Sequence, residues 1–336
     1  RSRTRGKSAA ASGYRRDNPD IERALLTGDA ADELTTYFGE SGYNELTELA
    51  HAATRRGLPR GAERVLILPG IMGSKLGIAD AGLFGLDDVI WLDPKEIAFG
   101  TLTRLALGSG HTSKVVPLGV MLLFYLKLKL RLRAAGFAAD FWGYDWRRSA
   151  TELGAQLCQH LRSSPDKVHL VAHSMGGLVA RAALKQGASP RVNRLVMLGT
   201  PNHGSFMATQ AIRATLDTIR TLAKFDLRHN AEELCAQVFN TFPSLYQLLP
   251  SPRKFSAFDL FDPAAWPPDG PQPLPDLLRA ARELPDQLAP PSDRFHLIVG
   301  VNQETVTGLE LRDRQFAYTQ SRAGDGTVPL AFAQLD

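Results

Sequence analysis

Cysteine and long hydrophobic segments are scarce in this 336-residue sequence. The two cysteines, Cys158 and Cys235, lack the spacing of metal ligands. We interpret them as reduced, partly buried thiols, with a single disulfide as the alternative. No apolar run reaches the about 18 residues of a membrane-spanning helix. The net charge is only +4, from 39 Lys and Arg against 35 Asp and Glu, so charge gives no argument for a nucleic-acid partner.

The first 60 residues differ in composition from the rest of the chain. Residues 1–19 are basic and contain almost nothing to bury, which predicts a disordered tail. Residues 20–60 carry apolar positions at intervals of three and four, which predicts a small helical prefix. The sequence starts at Arg1 rather than at a methionine, so we expect the natural N-terminus to be absent. We favour a cytoplasmic or peripheral membrane location, with secretion as the alternative.

A serine lies where a strand pattern changes to a helix pattern. Residues 167–171 predict a buried parallel strand, and residues 178–184 have helical spacing. Between them, Ser174 is flanked at two residues' distance by Ala172 and Gly176. A strand, a sharp turn with an apical serine and a helix form the nucleophile elbow of an α/β-hydrolase. We therefore predict Ser174 as a nucleophile; the alternative is a turn that merely links two elements.

An earlier apolar strand, Val65 to Leu68, ends at Pro69-Gly70. In the α/β-hydrolase fold, the loop after such a strand supplies one backbone N–H of the oxyanion hole. Ile71 is our first choice for this donor and Met72 the second. The other donor would be Met175, directly after the nucleophile. An ordinary exit from the strand is the alternative.

The acid of a catalytic triad is predicted at Asp325, which lies between two glycines in a turn after a late strand. His203 also follows a predicted strand, but the triad order of this fold is serine, acid, histidine. We therefore interpret His203 as a residue that braces its loop, and a role as the base is the minor alternative. Asp145 and Arg147 are predicted to pair and to brace the loop beside the site, with substrate contact as the alternative.

Two long segments interrupt the predicted α/β domain of residues 61–336. Residues 77–118 are too apolar for a disordered connection, and we predict a lid. Residues 206–292 lack strand patterns and are rich in amphipathic helices, which predicts an inserted helical cap over an acyl pocket; ordinary packing helices are the alternative. Residues 121–133 fit either a strand or a helix, and their length favours a helix. Its lysines and arginines would form a solvated face, with membrane docking as the alternative.

Seven motifs taken together resemble the lecithin:cholesterol acyltransferase family of α/β-hydrolase lipases and acyltransferases. They occur in the family's order from about residue 63 onwards. The motifs are Leu68-Pro-Gly-Ile-Met-Gly-Ser74, Trp91-Leu-Asp-Pro94, Tyr144-Asp-Trp-Arg147, Ala172-His-Ser-Met-Gly-Gly177, Gly199-Thr-Pro-Asn-His-Gly204, Phe242-Pro-Ser-Leu-Tyr-Gln-Leu-Leu-Pro250 and Gly324-Asp-Gly-Thr-Val-Pro329.

The resemblance implies a mostly parallel sheet flanked by helices, with a lid and a cap. It also implies Ser174 as nucleophile, Asp325 as acid, and the Ile71 and Met175 amides as the oxyanion hole. The implied donor is a phospholipid or another long-chain acyl ester, and the acceptor is water or an alcohol. Ala172 departs from the family's usual glycine, and residues 1–60 lie outside the resemblance.

One departure is serious, because all eight histidines precede Asp325. We expect the catalytic base to lie beyond Asp336 and the sequence to be a fragment. The competing interpretations are a catalytically inactive lipid-binding homologue and a membrane-docking module. The predicted chemistry needs no metal or organic cofactor, and the sequence does not predict an oligomeric state.

Overall fold

The computed structural model describes residues 17–79, 88–108 and 114–335. Most of the predicted tail, residues 1–16, therefore lies outside the described residues. The strands are β1 (Arg64–Leu68), β2 (Ser74–Ile78), β3 (Asp88–Trp91), β4 (Val116–Val120), β5 (Ala138–Phe141), β6 (Val168–His173), β7 (Val192–Leu198), β8 (Phe295–Ile298), β9 (Thr305–Arg312) and β10 (Gln315–Ser321). The α-helices are α1 (Asn18–Thr27), α2 (Ala31–Phe38), α3 (Glu40–Arg56), α4 (Pro94–Ala98), α5 (Leu122–Ala134), α6 (Ala150–Arg162), α7 (Met175–Ala183), α8 (Phe206–Ile212), α9 (Asp217–Phe225), α10 (Ala231–Gln237), α11 (Pro243–Gln247), α12 (Pro275–Arg282) and α13 (Leu330–Ala333).

The central sheet has five strands in the order β5-β1-β6-β7-β8, and every neighbouring pair is parallel. Its middle strands are apolar because both faces of the sheet are covered. Leu68 in β1 and Leu170 in β6, for example, have no solvent exposure. The predicted mostly parallel sheet flanked by helices is confirmed. Since parallel strands end at one edge, the loops after β1, β6, β7 and β8 meet there.

The segment predicted as a lid contributes a second, smaller sheet. Strands β3 and β4 pair antiparallel with the two edges of β2. Ile90 and Trp91 of β3 are buried in the main core, and the Trp91 ring packs against the Trp146 ring. These strands are therefore part of the folded domain, and a lid function for residues 77–118 stays a prediction.

The region predicted as a cap is helical. Residues 206–292 contain α8 to α12 and no strand. After β8, strands β9 and β10 form an antiparallel hairpin. Its Phe316 stacks on Phe258, which contacts Phe255 and through it Phe206 of α8. Aromatic contacts thus join the hairpin to the helical region, and coverage of an acyl pocket stays a prediction.

The helix predicted over residues 121–133 is confirmed as α5. Its buried face consists of Leu122, Tyr125, Leu126, Lys129 and Leu130, as expected for helical spacing. The prefix helices cover part of this face, because Leu122, Leu126 and Leu130 share one apolar cluster with residues of α1, α2 and α3. The prefix helices begin at Asn18 and pack onto the α/β domain.

Ion pairs strengthen the attachment of the prefix. Glu22 of α1 accepts hydrogen bonds from Lys129 at 2.8 Å and from Arg133 at 2.9 Å. Glu45 of α3 pairs with Lys127 at 2.7 Å and Arg131 at 3.0 Å. The prediction of a solvated cationic face on α5 is wrong for Lys129, whose side chain is 6% exposed and pairs with Glu22 and Asp140. Lys127 and Arg131 are 47% and 59% exposed, although both pair with Glu45.

The structure also describes both cysteines and allows a search for membrane-spanning helices. Cys158 and Cys235 are free and buried, which confirms the interpretation as thiols. Across residues 17–79, 88–108 and 114–335, no helix combines the length and the apolar character needed to cross a bilayer.

Glu22 and Glu45, the two prefix carboxylates that pair with α5, differ in burial, which allows a matched test. The Glu22 side chain is 15% exposed and its partner Lys129 is 6% exposed. We expect Glu22→Ala to lower the free energy of unfolding by about 1–3 kcal/mol, because a buried ammonium loses one of its two carboxylates. Glu45→Ala should cost much less, because its pairs are exposed. Urea unfolding followed by fluorescence would measure the free energy of unfolding of both variants. Equal losses would contradict a larger contribution from the buried Glu22–Lys129 pair.

Candidate active site

Ser174 occupies a strained turn between β6 and α7. Its backbone angles are φ 52° and ψ −126°, a combination that L-residues rarely adopt and that the surroundings must hold in place. The Ser174 N–H donates to the carbonyl of Leu198 in β7 at 2.8 Å. Behind the serine, a Cβ on Gly176 would lie 2.6 Å from the Pro69 carbonyl oxygen. Only glycine therefore permits α7 to approach the loop after β1 this closely.

The loop after β1 passes directly in front of Ser174. A Cβ on Gly70 would lie 2.9 Å from the Ser174 Cβ and 3.4 Å from its Oγ. The loop turns back on itself, since the Gly73 N–H donates to the Gly70 carbonyl at 3.0 Å. The Trp91 indole N–H donates to the Met72 carbonyl at 3.2 Å. The residues after Pro69 are therefore held next to the serine hydroxyl.

Two backbone N–H groups in the segments that adjoin Ser174 lack an acceptor within the described part of the chain. Among the described residues, neither the Ile71 N–H nor the Met175 N–H has an acceptor. Met175 is the first residue of α7, where helix N–H groups lack acceptors within the helix. Ile71 follows Gly70, the residue that faces Ser174. Two amides with these locations can donate to an oxygen bound next to Ser174 Oγ.

Tyr125 connects the loop to the elbow. Its hydroxyl accepts the Gly70 N–H at 2.9 Å and lies 2.9 Å from Nδ1 of His173. Burial raises the pKa of Tyr125 to about 12, and the hydrogen bond from Gly70 opposes that shift. The phenol is therefore neutral, and its O–H is available to donate to His173. Desolvation lowers the pKa of His173, and the charge of Asp325 opposes this shift. The neutral ring can accept this hydrogen bond at Nδ1 in the tautomer that carries its proton on Nε2.

The segment Tyr144–Arg147 braces the same loop from its other side. The Tyr144 hydroxyl donates to the Pro69 carbonyl at 2.5 Å, and the Trp146 indole donates to the Ser74 carbonyl at 3.0 Å. The predicted pair of Asp145 and Arg147 forms with two contacts of 2.8 and 2.7 Å. Arg147 also donates to the Leu105 carbonyl at 2.7 Å. These contacts support the interpretation of the pair as a brace.

Asp325 lies at the same edge of the sheet, over the ends of β7 and β8. A Cβ on Gly199 would lie 2.9 Å from Asp325 Oδ2, and one on Gly300 would lie 2.6 Å from the Asp325 Cβ. The other carboxylate oxygen, Oδ1, accepts the N–H groups of Thr327 at 2.9 Å and Val328 at 2.7 Å. These bonds fix the carboxylate, and Oδ2 accepts no hydrogen bond from the described residues.

None of the described histidines bridges the two groups. Neither Ser174 Oγ nor the Asp325 carboxylate makes a hydrogen bond to a histidine in the described ranges, and His111 lies outside them. His203 is 8% exposed, and its backbone N–H donates to the Phe332 carbonyl at 2.8 Å while its carbonyl accepts from Ser251 at 2.8 Å. These contacts brace the loop after β7.

No candidate for a metal site emerges from the described part of the chain, where no group of three or more His, Cys, Asp or Glu residues could hold an ion.

A model of one protein family matches residues 105–331, which is about two thirds of the sequence. Its description is "Alpha/beta hydrolase family". The chain belongs to the alpha/beta hydrolase family. The predicted α/β-hydrolase fold is thereby confirmed, and the elbow, the Gly70 loop and Asp325 lie at the edge of the sheet where this fold places its site. The narrower resemblance to lecithin:cholesterol acyltransferases is not tested by this match.

The similarity of this chain to individual known proteins is low. A search of curated protein sequences gave no significant match. Among solved structures, the mature form of the Bacillus licheniformis lipase BlEst2 aligns over 83% of this chain and 82% of its own, with 17% identity and a TM-score of 0.40. A chain of the Tle4–Tli4 complex aligns over 81% of this chain and 89% of its own, with 16% identity and a TM-score of 0.45. These similarities are too low to support the assignment, which depends on the family model.

The sequence did not reveal the contribution of Tyr125 to this hydrolase. Helical spacing places Tyr125 on the buried face of α5, but periodicity does not identify a side chain's partner. The partners Gly70 and His173 lie 55 and 48 residues away. A tyrosine on an otherwise aliphatic buried face was the available signal, because a buried hydroxyl needs a hydrogen-bond partner.

We expect Tyr125→Phe to lower the free energy of unfolding by about 1–2 kcal/mol, because the buried Gly70 N–H loses its acceptor. The looser loop should also slow covalent labelling of Ser174 by a fluorophosphonate. Tyr43→Phe is the matched control, because the Tyr43 hydroxyl has no hydrogen-bond partner among the described residues. Denaturant unfolding and labelling rates measure both effects, and similar values for the two variants would contradict the proposed contact.

Proposed function

We propose that this alpha/beta hydrolase cleaves lipid acyl esters, or transfers their acyl group to an alcohol, through a covalent intermediate on Ser174. The main support is the convergence at one edge of the sheet. A strained serine, two amides without acceptors among the described residues and an orientated carboxylate lie at the ends of adjacent strands. The motifs shared with lecithin:cholesterol acyltransferases favour a phospholipid or another long-chain acyl ester as the substrate.

The proposed reaction begins when a base takes the proton of Ser174. The serine oxygen forms a bond to the acyl carbon, and the developing oxyanion accepts hydrogen bonds from the Ile71 and Met175 N–H groups. The bond to the leaving alcohol then breaks, and the base returns its proton to that alcohol. Water or a second alcohol repeats the sequence on the acyl-enzyme, which releases the acid or a new ester and restores the serine.

Asp325 is proposed to orientate the base. Its Oδ1 is held by two backbone N–H groups, whereas Oδ2 can accept the N–H of an imidazole. In this fold the histidine follows the acid in the chain, so we propose that the base is a histidine downstream of Asp325. Asp145, Arg147 and His203 are proposed to position the surrounding loops. This reaction needs no metal ion or organic cofactor.

Covalent labelling tests the nucleophile directly in the protein encoded by the complete gene. A fluorophosphonate should modify Ser174, as identified by mass spectrometry of the labelled peptide. Ser174→Ala should remove labelling and lower ester hydrolysis by roughly 10⁴-fold or more, and Asp325→Asn by roughly 10³-fold or more. The matched controls are the exposed residues Ser163 and Asp313, and neither Ser163→Ala nor Asp313→Asn should affect the rate. Lipid binding without labelling would instead favour a catalytically inactive homologue.

Acyl-chain preference tests the proposed lipid substrate. We expect kcat/KM to rise with acyl length, because each methylene buried in an apolar pocket can contribute about 0.8 kcal/mol, or roughly a factor of 4. Rates on p-nitrophenyl esters of short and long fatty acids in mixed micelles would measure this trend. Product analysis with an added long-chain alcohol would separate transfer from hydrolysis. Faster turnover of acetate than of long acyl chains would contradict a lipid substrate without affecting the role of Ser174.

A further inference from the structure

Three large apolar side chains on two adjoining segments of the chain are exposed to solvent. Phe99, Phe225 and Leu227 are 61%, 64% and 82% exposed. Single exposed apolar residues are common on protein surfaces, but adjacent ones indicate an interaction site. Phe99 follows α4, and the other two lie at the end of α9 and just after it. We refer to Phe99, Phe225 and Leu227 as the apolar tip.

The two segments of the apolar tip are joined. The Leu227 N–H donates to the Ala98 carbonyl at 3.4 Å. A Cβ on Gly100 would lie 2.8 Å from the Cδ of Arg228. Phe99 therefore lies between two residues that contact the segment of Leu227. The two segments that carry the three exposed apolar side chains adjoin, although they are far apart in the sequence.

A buried carboxylate shapes the turn that carries Leu227. Asp226 accepts the N–H groups of Arg228 at 2.7 Å and His229 at 3.0 Å. Its other oxygen lies 3.1 Å from Nδ1 of His229. The turn is thus held by its own hydrogen bonds while Leu227 points into solvent. The turn therefore keeps Leu227 82% exposed next to the segments that carry the other two apolar side chains.

Three exposed cations accompany the apolar tip. Arg220, Lys224 and Arg228 occur at intervals of four residues along α9 and its exit. None of them forms an ion pair with a described residue. Between residues 220 and 229, the one carboxylate is Asp226, which is buried in the turn. The tip therefore combines bare apolar side chains with cations that can reach lipid phosphates.

We propose that the apolar tip docks this hydrolase on an anionic lipid surface. Phe99, Phe225 and Leu227 would enter the boundary between head groups and acyl chains, and Lys224 and Arg228 would pair with phosphates. The choice of a lipid surface rests on the proposed lipid-ester function, which requires access to molecules held in a bilayer. This surface differs from the basic tail, of which residues 1–16 lie outside the described part of the chain.

Vesicle co-sedimentation tests the docking surface. The full-length protein should bind vesicles of phosphatidylcholine mixed with phosphatidylglycerol more tightly than vesicles of phosphatidylcholine alone. Combined Phe99→Ser, Phe225→Ser and Leu227→Ser should weaken binding to both vesicles by about tenfold or more, because apolar area no longer leaves water. Combined Lys224→Glu and Arg228→Glu should remove the preference for the anionic vesicles.

The matched control combines Leu58→Ser and Leu311→Ser, which are 59% and 52% exposed on other parts of the surface. This variant should bind vesicles like the unchanged protein. The proposal is overturned if the triple variant still binds normally, if the control loses as much, or if the unchanged protein binds neither vesicle. If the apolar tip instead binds a protein partner, the unchanged protein should bind neither vesicle.

Two readouts separate this proposal from the proposed reaction. The triple variant should keep its labelling by fluorophosphonate and its rate on a soluble short-chain ester, because the tip makes no contact with Ser174. Ser174→Ala should bind vesicles like the unchanged protein. Absence of labelling together with normal, tip-dependent vesicle binding would end the proposed reaction and leave the docking surface in place.

Discussion

The backbone of Ser174 is the constraint on which the candidate site depends. A conformation with φ 52° and ψ −126° costs about 1–3 kcal/mol and persists only when its surroundings impose it. Here β7 holds the Ser174 N–H, α7 begins directly behind the serine, and the loop after β1 crosses in front of it. The strain turns the hydroxyl to the edge of the sheet, where the Ile71 and Met175 amides and Asp325 also lie.

The loop after β1 has few contacts of its own and is held by other parts of the domain. Tyr125 of α5 binds Gly70, Tyr144 binds Pro69, Trp146 binds Ser74, and Trp91 of β3 binds Met72. A loop fixed by rigid elements on several sides can keep its amides in position without reorganisation. Since α5 also carries the prefix, helices far from the site belong to the same supporting structure.

Charged side chains in the interior of this hydrolase have partners within the chain, whereas those at the apolar tip face solvent. Inside, Lys129 and Arg147 are paired with carboxylates, and Arg181 and Arg213 donate to neutral oxygens of the backbone and of Asn202. The Asp325 carboxylate is held by backbone amides on one oxygen, which leaves the other for a partner. At the apolar tip, in contrast, Lys224 and Arg228 are exposed next to bare apolar side chains. Neither cation forms an ion pair with a described residue, which suits both to a partner outside the molecule.

The sequence by itself determined the features that depend on neighbouring residues. The apolar run before Ser174 and the glycines after it predicted the elbow, and the spacing of Leu122, Leu126 and Leu130 predicted α5. These predictions succeed because strand and helix periods and the space around a glycine are local properties. The pairing of Asp145 with Arg147 was predictable for the same reason.

Only the tertiary structure decided which distant residues meet. Tyr125 was predictable as buried, but not as the partner of Gly70 and His173. Equally little in the sequence indicated the pairing of the α5 cations with Glu22 and Glu45, or the hydrogen bond between Leu227 and Ala98. The physical reason is that periodicity determines which face of an element is buried, whereas the partner of that face depends on how the whole chain packs.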